Sequence, residues 1–196
     1  MVRSVSRARV SPGGLSRPEV HTARLLLRPI DSADLAALHE IWRDPEVARY
    51  LWDGEEISRD SAAEALRKLI SAFEYRGLPN WSVMHRASER LVGQCGIHLL
   101  EDLEESELVC SLHPDFRGRG LGTEAARATL RYAFSETHLE RVVGISDTEN
   151  AASRRMLEKL GLGYEQTAEY EGRPERWYAI SREQFVPDRS LYLVRR

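Results

Sequence analysis

The stretch SLHPDFRGRGLGTEAA, residues 111–126, joins a β-forming run to a helix-forming run through a joint of alternating glycines. The joint comprises Arg117, Gly118, Arg119, Gly120, Leu121 and Gly122. The first turn of a helix has backbone N–H groups without intrahelical acceptors and a partial positive charge, so it attracts anions. Glycines let the backbone approach a ligand closely, and the two arginines add charge-assisted hydrogen bonds. The joint therefore predicts a binding site for a diphosphate group.

Two better-known phosphate motifs do not describe this joint. The pattern GxxxxGK[ST] is absent, and the dinucleotide fingerprint requires a third glycine where Thr123 stands. Two other readings of the joint stay open on this evidence. One is a glycine-rich turn that carries a surface arginine pair, and the other is a nucleotide-diphosphate binder of a different fold.

The composition excludes several classes of protein. The chain has 196 residues, of which 42% are hydrophobic and 30% charged, as in a soluble globular protein. No apolar run approaches the roughly 20 residues that a membrane span needs, so we expect no membrane partner. A net charge of −3 without a basic stripe argues against a nucleic-acid partner. Cys95 and Cys110 have neither CxxC spacing nor a disulfide framework, which favours a reducing cytoplasm, and metal-ligand spacing is absent.

The first 19 residues differ in composition from the rest. They contain four arginines and four serines but no apolar stretch of the kind that a secretory signal requires. We expect residues 1–19 to form a disordered arm, with a transit peptide as the alternative. Residues 20–196 are expected to form a single domain.

The remaining chain alternates strand-like and helix-like segments. Seven strands are predicted at about 24–30, 81–87, 91–99, 106–112, 141–146, 164–170 and 176–181. Four helices are predicted from Asp31 to just before Pro45, and at 58–76, 121–136 and 150–160. Ser58 is expected to cap the second of these helices and Gly77 to end it. This order predicts an α+β, mixed α/β fold with helices on the faces of a mixed sheet. Two strands that follow each other in the chain can be parallel neighbours only where a crossover helix connects them.

Several stretches carry a family resemblance. They are TARLLLRPIDSADL at 22–35, DPEVARYLW at 44–52, LVGQCGI at 91–97, LHPDFRGRGLGTEAARATLRYAF at 112–134 and NAASRRMLEKLGL at 150–162. The joint itself fits the pattern [QR]-x-x-G-x-[GA]. The chain thus resembles the GNAT superfamily of acetyl-CoA-dependent N-acetyltransferases, and among them the Rim-type branch of ribosomal-protein N-terminal acetyltransferases and their relatives. The resemblance covers about residues 20–187.

The resemblance implies a fold, a cosubstrate and a reaction. The fold is a mostly antiparallel sheet of about seven strands with about four flanking helices and a parallel pair at the acetyl-CoA cleft. Acetyl-CoA is the cosubstrate, no metal takes part, and a primary amine attacks the thioester directly in a ternary complex. The acceptor is a protein N-terminus or a small-molecule amine, and a homodimer is possible within the branch.

The resemblance also implies coenzyme-binding residues. The strand before the joint holds the pantetheine arm and polarises the thioester, and the joint holds the pyrophosphate. Asn150 and Ser153 match the N-x-x-S pattern and contact the arm near the sulfur, although Asn150 also suits a helix N-cap. The implied contacts are Ser111, Leu112, His113, Arg117, Gly118, Arg119, Gly120, Leu121, Gly122, Thr123, Asn150 and Ser153.

The predicted catalytic residues are Glu107, Asn150 and Ser153. Glu107 is the candidate base because it lies on the strand that enters the joint, where the branch often places an acid. Alternation along the strand also puts it on the same face as Ser111. Its alternative is a place in the solvated acidic run of residues 101–107. Many members of the superfamily have a tyrosine as general acid where this chain has Leu157, so proton delivery falls to Ser153 or to water.

Two further positions and two segments bear on the chemistry. Cys110 is close enough to the expected thioester site to accept the acyl group, but we favour a buried cysteine that only packs. Leu162 replaces the usual phenylalanine of the branch, which is a packing change. Residues 50–56 and 170–173 combine aromatic and acidic side chains and are expected to border the acceptor, as would suit a cationic amine.

A catalytically weak acyl-CoA-binding or regulatory module is the alternative function.

Overall fold

A nine-stranded sheet runs through the computed structural model, which describes residues 18–196. The strands are β1 Glu19–His21, β2 Leu25–Pro29, β3 Asn80–His85, β4 Arg90–Leu100, β5 Glu105–Leu112, β6 Arg141–Asp147, β7 Gly163–Tyr170, β8 Arg173–Ser181 and β9 Leu193–Arg195. Their order across the sheet is β7-β8-β6-β5-β4-β3-β2-β1-β9. Residues 1–17 of the predicted arm lie outside the described residues. The last residue of that arm, Glu19, is the first residue of β1.

Within residues 18–196, five α-helices flank the sheet. They are α1 Leu35–Trp42, α2 Pro45–Leu51, α3 Arg59–Arg76, α4 Leu121–Glu136 and α5 Ala151–Lys159. Their ends follow from local chemistry: Ser58 caps α3 by accepting a hydrogen bond from the Ser61 amide, and Gly77 ends it in the left-handed region at φ 67°. The predicted caps of α3 are therefore confirmed.

The sheet has the predicted mixed, mostly antiparallel character. Neighbouring strands are antiparallel except β5 and β6, which are parallel and are connected through α4. The α+β fold with one parallel pair is therefore confirmed. The described residues form nine strands rather than about seven, because β1 and β9 pair with each other beyond β2.

Helix α2 is the α-helix that the sequence pattern missed. Pro45 was expected only to end the first helix, but it also occupies the first turn of α2. Proline is favoured there, since its missing N–H would have no intrahelical acceptor. Asp44 caps this short helix by accepting a hydrogen bond from the Val47 amide. The prediction of four helices was therefore one helix short.

Apolar side chains pack on both faces of the sheet. The larger cluster contains β-strand residues such as Leu27, Trp81 and Ile97 together with the inner face of α4. The smaller cluster joins α1 and α3 around Leu38 and Trp42. The sheet is thus covered on both sides, which leaves ligand access to places where neighbouring strands separate.

Candidate active site

Strands β5 and β6 separate soon after they meet. In the described chain their register consists of one pair, Glu107 with Val143, although both strands continue for several residues. Past this pair, the edge of β5 that faces β6 has backbone polar groups without a neighbouring strand. Such groups need partners, and an extended ligand with amide groups can supply them. The opening therefore suits a chain-like ligand that lies along the last residues of β5.

The glycine joint lies directly beyond the end of β5. Gly118 and Gly120 have backbone φ angles of 71° and 75°, which residues with a Cβ rarely adopt. Gly120 is the N-cap residue of α4, and no side chain caps the helix. The amides of the first turn, from Leu121 to Thr123, therefore remain available to an anion.

The two arginines of the joint have different environments. The guanidinium of Arg117 donates hydrogen bonds to the Leu112 carbonyl oxygen at 3.0 Å and to Asp44 at 2.8 Å, and it also pairs with Glu46. Burial acts to raise the pKa of Asp44, but Arg117 and the backbone hydrogen bonds from Val47 and Glu46 together lower it. Arg117 thus ties the joint to α2. Arg119 is exposed, with its guanidinium carbon 5.7 Å from the centre of the Phe116 ring.

A second tie to the joint comes from a residue that the sequence pattern did not indicate. Arg24 donates hydrogen bonds to the carbonyl oxygen of Arg119 at 2.8 Å and to Glu124 at 2.7 Å. Thr22 donates to the same carboxylate at 2.7 Å. Glu124 lies 100 residues from Arg24, so no local signal could have connected them. The turn before β2 thereby fixes the backbone of the joint.

The other predicted coenzyme contacts lie around the opening. Ser111 is 6% exposed, and its Oγ has no hydrogen-bond partner among the described residues. His113 accepts a hydrogen bond from the Asp115 amide at 3.2 Å and so caps a short 3₁₀ turn. Asn150 accepts from the Ser153 amide at 3.0 Å, which confirms it as the N-cap of α5.

The position of the missing tyrosine lies in the core. Leu157 is 1% exposed. A Cβ placed on Gly144 would approach its Cδ2 to 2.5 Å, so the two residues are in close contact. Leu157 therefore stabilises the packing of α5 on β6 and has no group with which to protonate a thiolate.

Glu107 differs from the exposed members of the acidic run. Glu101, Asp102 and Glu104 are exposed, whereas Glu107 is half-buried in β5. Burial raises the pKa of Glu107 to about 8, against a hydrogen bond from the backbone of Ile145 that lowers it. A carboxyl group with such a pKa exchanges protons near neutral pH, as a general base must.

Further acidic and aromatic side chains lie near Glu107. Tyr170 and Trp177 form an edge-to-face pair with ring centres 5.6 Å apart. Glu107 contributes to a raised pKa of Tyr170, after burial and Glu171. Burial, followed by Asp147, raises the pKa of Glu175 to about 7. The sequence did not predict that these side chains of β6 and β8 lie close together, because the register of two strands is a long-range property.

Ion pairs join α2 to the β7–β8 hairpin. Arg173 pairs with Asp53 and donates a hydrogen bond to the carbonyl oxygen of Arg49 at 3.4 Å. Arg49 in turn pairs with Glu149, which precedes α5. The predicted acceptor segments, 50–56 and 170–173, are therefore brought together. We refer to these three cross-links as the clasp.

The cysteines have an environment that suits packing. Cys95 and Cys110 are directly opposite each other on β4 and β5, and both are free thiols. A hydrogen bond with Cys95, together with burial, raises the pKa of Cys110 well above its ordinary value. A thiol that stays protonated is a poor nucleophile, so the geometry favours the predicted packing role.

Two classes of feature are missing from residues 18–196. No group of three or more His, Cys, Asp or Glu side chains in this range is arranged to hold a metal ion. No helix in the same range is both long and apolar enough to cross a membrane.

Comparison with known proteins identifies the family. A model of the acetyltransferase (GNAT) domain matches residues 24–163. An FsC-acetyl coenzyme A-N(2)-transacetylase of Aspergillus fumigatus is 29% identical over 188 residues, covering 87% of this chain and 79% of that protein. The spermidine N(1)-acetyltransferase of Escherichia coli K12 is 27% identical over 158 residues, covering 76% of each. The crystal structure of a GNAT-family acetyltransferase from Bacillus anthracis matches with a TM-score of 0.69 and 28% identity, over 84% of this chain and 99% of that one.

The chain therefore belongs to the GNAT acetyltransferase family, and it is an acyltransferase. Members of this family use acetyl-CoA, and the glycine joint and the opened edge of β5 are suited to such a ligand.

The raised pKa of Glu107 predicts a pH-dependent gain in stability when it is replaced. Between about pH 4.3, the ordinary glutamate pKa, and about pH 8 the unfolded chain releases a proton that the folded protein keeps, so folding becomes less favourable as pH rises. Glu107→Gln removes this effect. We expect its melting temperature at pH 8 to exceed the parent's by at least about 2 °C, the shift that about 1 kcal/mol produces in a chain of this size.

Calorimetry across pH tests this expectation, with the exposed Asp102→Asn as the matched control. The gain for Glu107→Gln should shrink as pH falls toward 4.3, and Asp102→Asn should show no such trend. Equal melting temperatures for parent and Glu107→Gln at pH 8 would return Glu107 to the solvated acidic run.

Proposed function

We propose that this enzyme is an N-acetyltransferase that transfers the acetyl group of acetyl-CoA directly to a primary amine within a ternary complex. The observation that carries the proposal is the placement of an uncapped helix N-terminus, reached through left-handed glycines, beside the opening between β5 and β6. The anion site lies next to the unpaired strand edge, and this arrangement suits a ligand in which a diphosphate is followed by an arm that contains amide groups.

In the proposed complex, the joint holds the diphosphate. The backbone of Gly118 to Thr123 and the exposed guanidinium of Arg119 would contact it, while Arg117 and Arg24 keep the joint in shape. The backbone of Ser111, Leu112 and His113 would hold the pantetheine arm. This arrangement would put the thioester near the point where β5 and β6 separate.

Glu107 is proposed to accept the proton of the attacking amine, directly or through water. Aliphatic amines are mostly protonated at neutral pH and must lose a proton before they attack. A base near the reacting nitrogen therefore raises the rate by about 10²–10⁴. The general acid must be another group than the residue at position 157, because Leu157 is buried and has no proton to donate. Ser153, in the first turn of α5, or a water molecule would protonate the leaving thiolate, and Asn150 would orient the arm near the sulfur.

The acceptor follows from this chain's own residues rather than from its relatives. The fungal and bacterial relatives described above have names that indicate different acceptors. We favour a small cationic amine over a protein N-terminus, because the clasp links the two segments that would border the acceptor. Membership of the Rim-type branch, a cytoplasmic location and a homodimer stay predictions.

The alternative is a catalytically weak acyl-CoA-binding module. The observation that favours it is the burial of Leu157 where many members have a tyrosine. Release of free thiol from acetyl-CoA across a panel of small amines and N-terminal peptides separates the two functions, since the weak module would bind the coenzyme without releasing thiol.

A substitution in the joint tests the coenzyme site. Gly120→Leu should raise the Kd for acetyl-CoA at least about tenfold, because its side chain covers the first-turn amides of α4. Gly77→Leu is the matched control: Gly77 has φ 67°, close to the 75° of Gly120, and ends α3. Both variants carry similar backbone strain, and isothermal calorimetry should show lost affinity for Gly120→Leu alone. Unchanged affinity in a folded Gly120→Leu protein would reject the diphosphate assignment.

The pH dependence of the rate tests the base. The parent's kcat/KM should rise with pH and level off near pH 8, where Glu107 loses its proton. Glu107→Gln should lower kcat at least about tenfold at pH 8, keep the Kd for acetyl-CoA, and lack the break near pH 8. A variant with the parent's rate and profile would show that another group or water accepts the proton.

A further inference from the structure

Two carboxylates stand opposite each other near Glu107. Asp147 of β6 and Glu175 of β8 are register partners in an antiparallel pair, so their side chains leave the sheet on one face. Asp147 lies four residues after Val143, the partner of Glu107, and alternation therefore puts all three carboxylates on the same face. Like charges directly across two strands are destabilising unless a cation compensates them.

The described residues supply little compensation. Arg173 is the cation that acts on Glu175, and it already pairs with Asp53. His98, opposite Glu107 on β4, adds no charge at neutral pH, because burial lowers its pKa to about 4. Within residues 18–196, the buried Oε2 of Glu175 has no hydrogen-bond partner. Oδ1 of Asp147 accepts a hydrogen bond from the Glu149 amide at 2.6 Å, so among the described residues the capacity for a positive group lies mainly with Oε2 of Glu175.

Neighbouring side chains indicate a ligand in the same place. Ser111 is 6% exposed, its Oγ has no partner in the described chain, and it projects from the same face of β5 as Glu107. Trp177 is two residues from Glu175 on the same face of β8, and its ring packs against Tyr170. Aromatic rings next to carboxylates attract ammonium groups through cation–π contacts.

The geometry points to an acceptor with two ammonium groups, an aliphatic diamine or polyamine, of which one is acetylated near Glu107 while the second is held by Glu175 and Asp147 beside Trp177. This inference rests on the proposed function and adds the class of acceptor to it. The first nitrogen gives up its proton before it attacks the thioester carbon, whose bond to sulfur then breaks. The second nitrogen keeps its proton and its charge throughout, so it binds equally in substrate and product.

A pair of amines with equal chain length tests the second ammonium site. Butylamine and 1,4-diaminobutane differ only in the second amino group, and kcat/KM for each is measured by thiol release at pH 8 with saturating acetyl-CoA. The parent should prefer the diamine at least about tenfold. Glu175→Gln should reduce this ratio at least about fivefold, mainly through a higher KM for the diamine, because it removes the partner of the second ammonium.

Glu169→Gln is the matched control, since Glu169 is an exposed acid on the same hairpin whose removal changes the net charge equally. It should keep the parent's ratio. Equal rates with both amines, or a greater rate with an N-terminal peptide, would overturn the inference and leave acetyl transfer to amines intact. Binding of acetyl-CoA without acetylation of any amine would overturn both, and a loss of preference in Glu169→Gln would reduce the effect to general electrostatics and reject a specific site.

Discussion

The separation of β5 from β6 is the constraint on which the rest of the site depends. These are the parallel strands of an otherwise antiparallel sheet, and they share one register pair at Glu107 and Val143. Because α4 must cross between them, its N-terminus is placed at the end of β5. The unpaired strand edge follows from this topological feature, and the same feature brings Glu107 and the N-terminus of α4, which has no side-chain cap because its N-cap residue is Gly120, to one opening.

Charged side chains hold the two sides of this opening. Arg117 ties the glycine joint to α2, and Arg24 ties it to the turn before β2. Arg173 ties α2 to the β7–β8 hairpin. Helix α2 therefore contacts both the proposed coenzyme side and the proposed acceptor side. A change in α2 that disturbs one side should be felt at the other, since packed elements transmit displacement rather than absorb it.

The sequence predicted the parts of the structure that have local causes. Helix caps such as Ser58 and Asn150, the glycine joint and the strand alternation that separates Glu107 from Leu108 all depend on neighbours within a few residues. Helix α2 also has a local signal, since Asp44 suits an N-cap and Pro45 a first helical turn, but the same proline equally suits the end of the preceding helix. The sequence could not show that the guanidinium of Arg117 is occupied by acids some 70 residues earlier. The opposed carboxylates of β6 and β8 likewise depend on strand register, which no local pattern reveals.

The central claim is that the glycine joint receives the diphosphate of acetyl-CoA, and NMR of the ¹⁵N-labelled protein tests it most directly. Addition of acetyl-CoA should shift the backbone amide signals of Gly118, Gly120 and Gly122, because their N–H groups would point toward the diphosphate. The acetyl thioester of N-acetylcysteamine has the reacting end of the coenzyme without the diphosphate, and it should leave these three signals in place. Shifts confined to other parts of the chain on addition of acetyl-CoA would contradict the account.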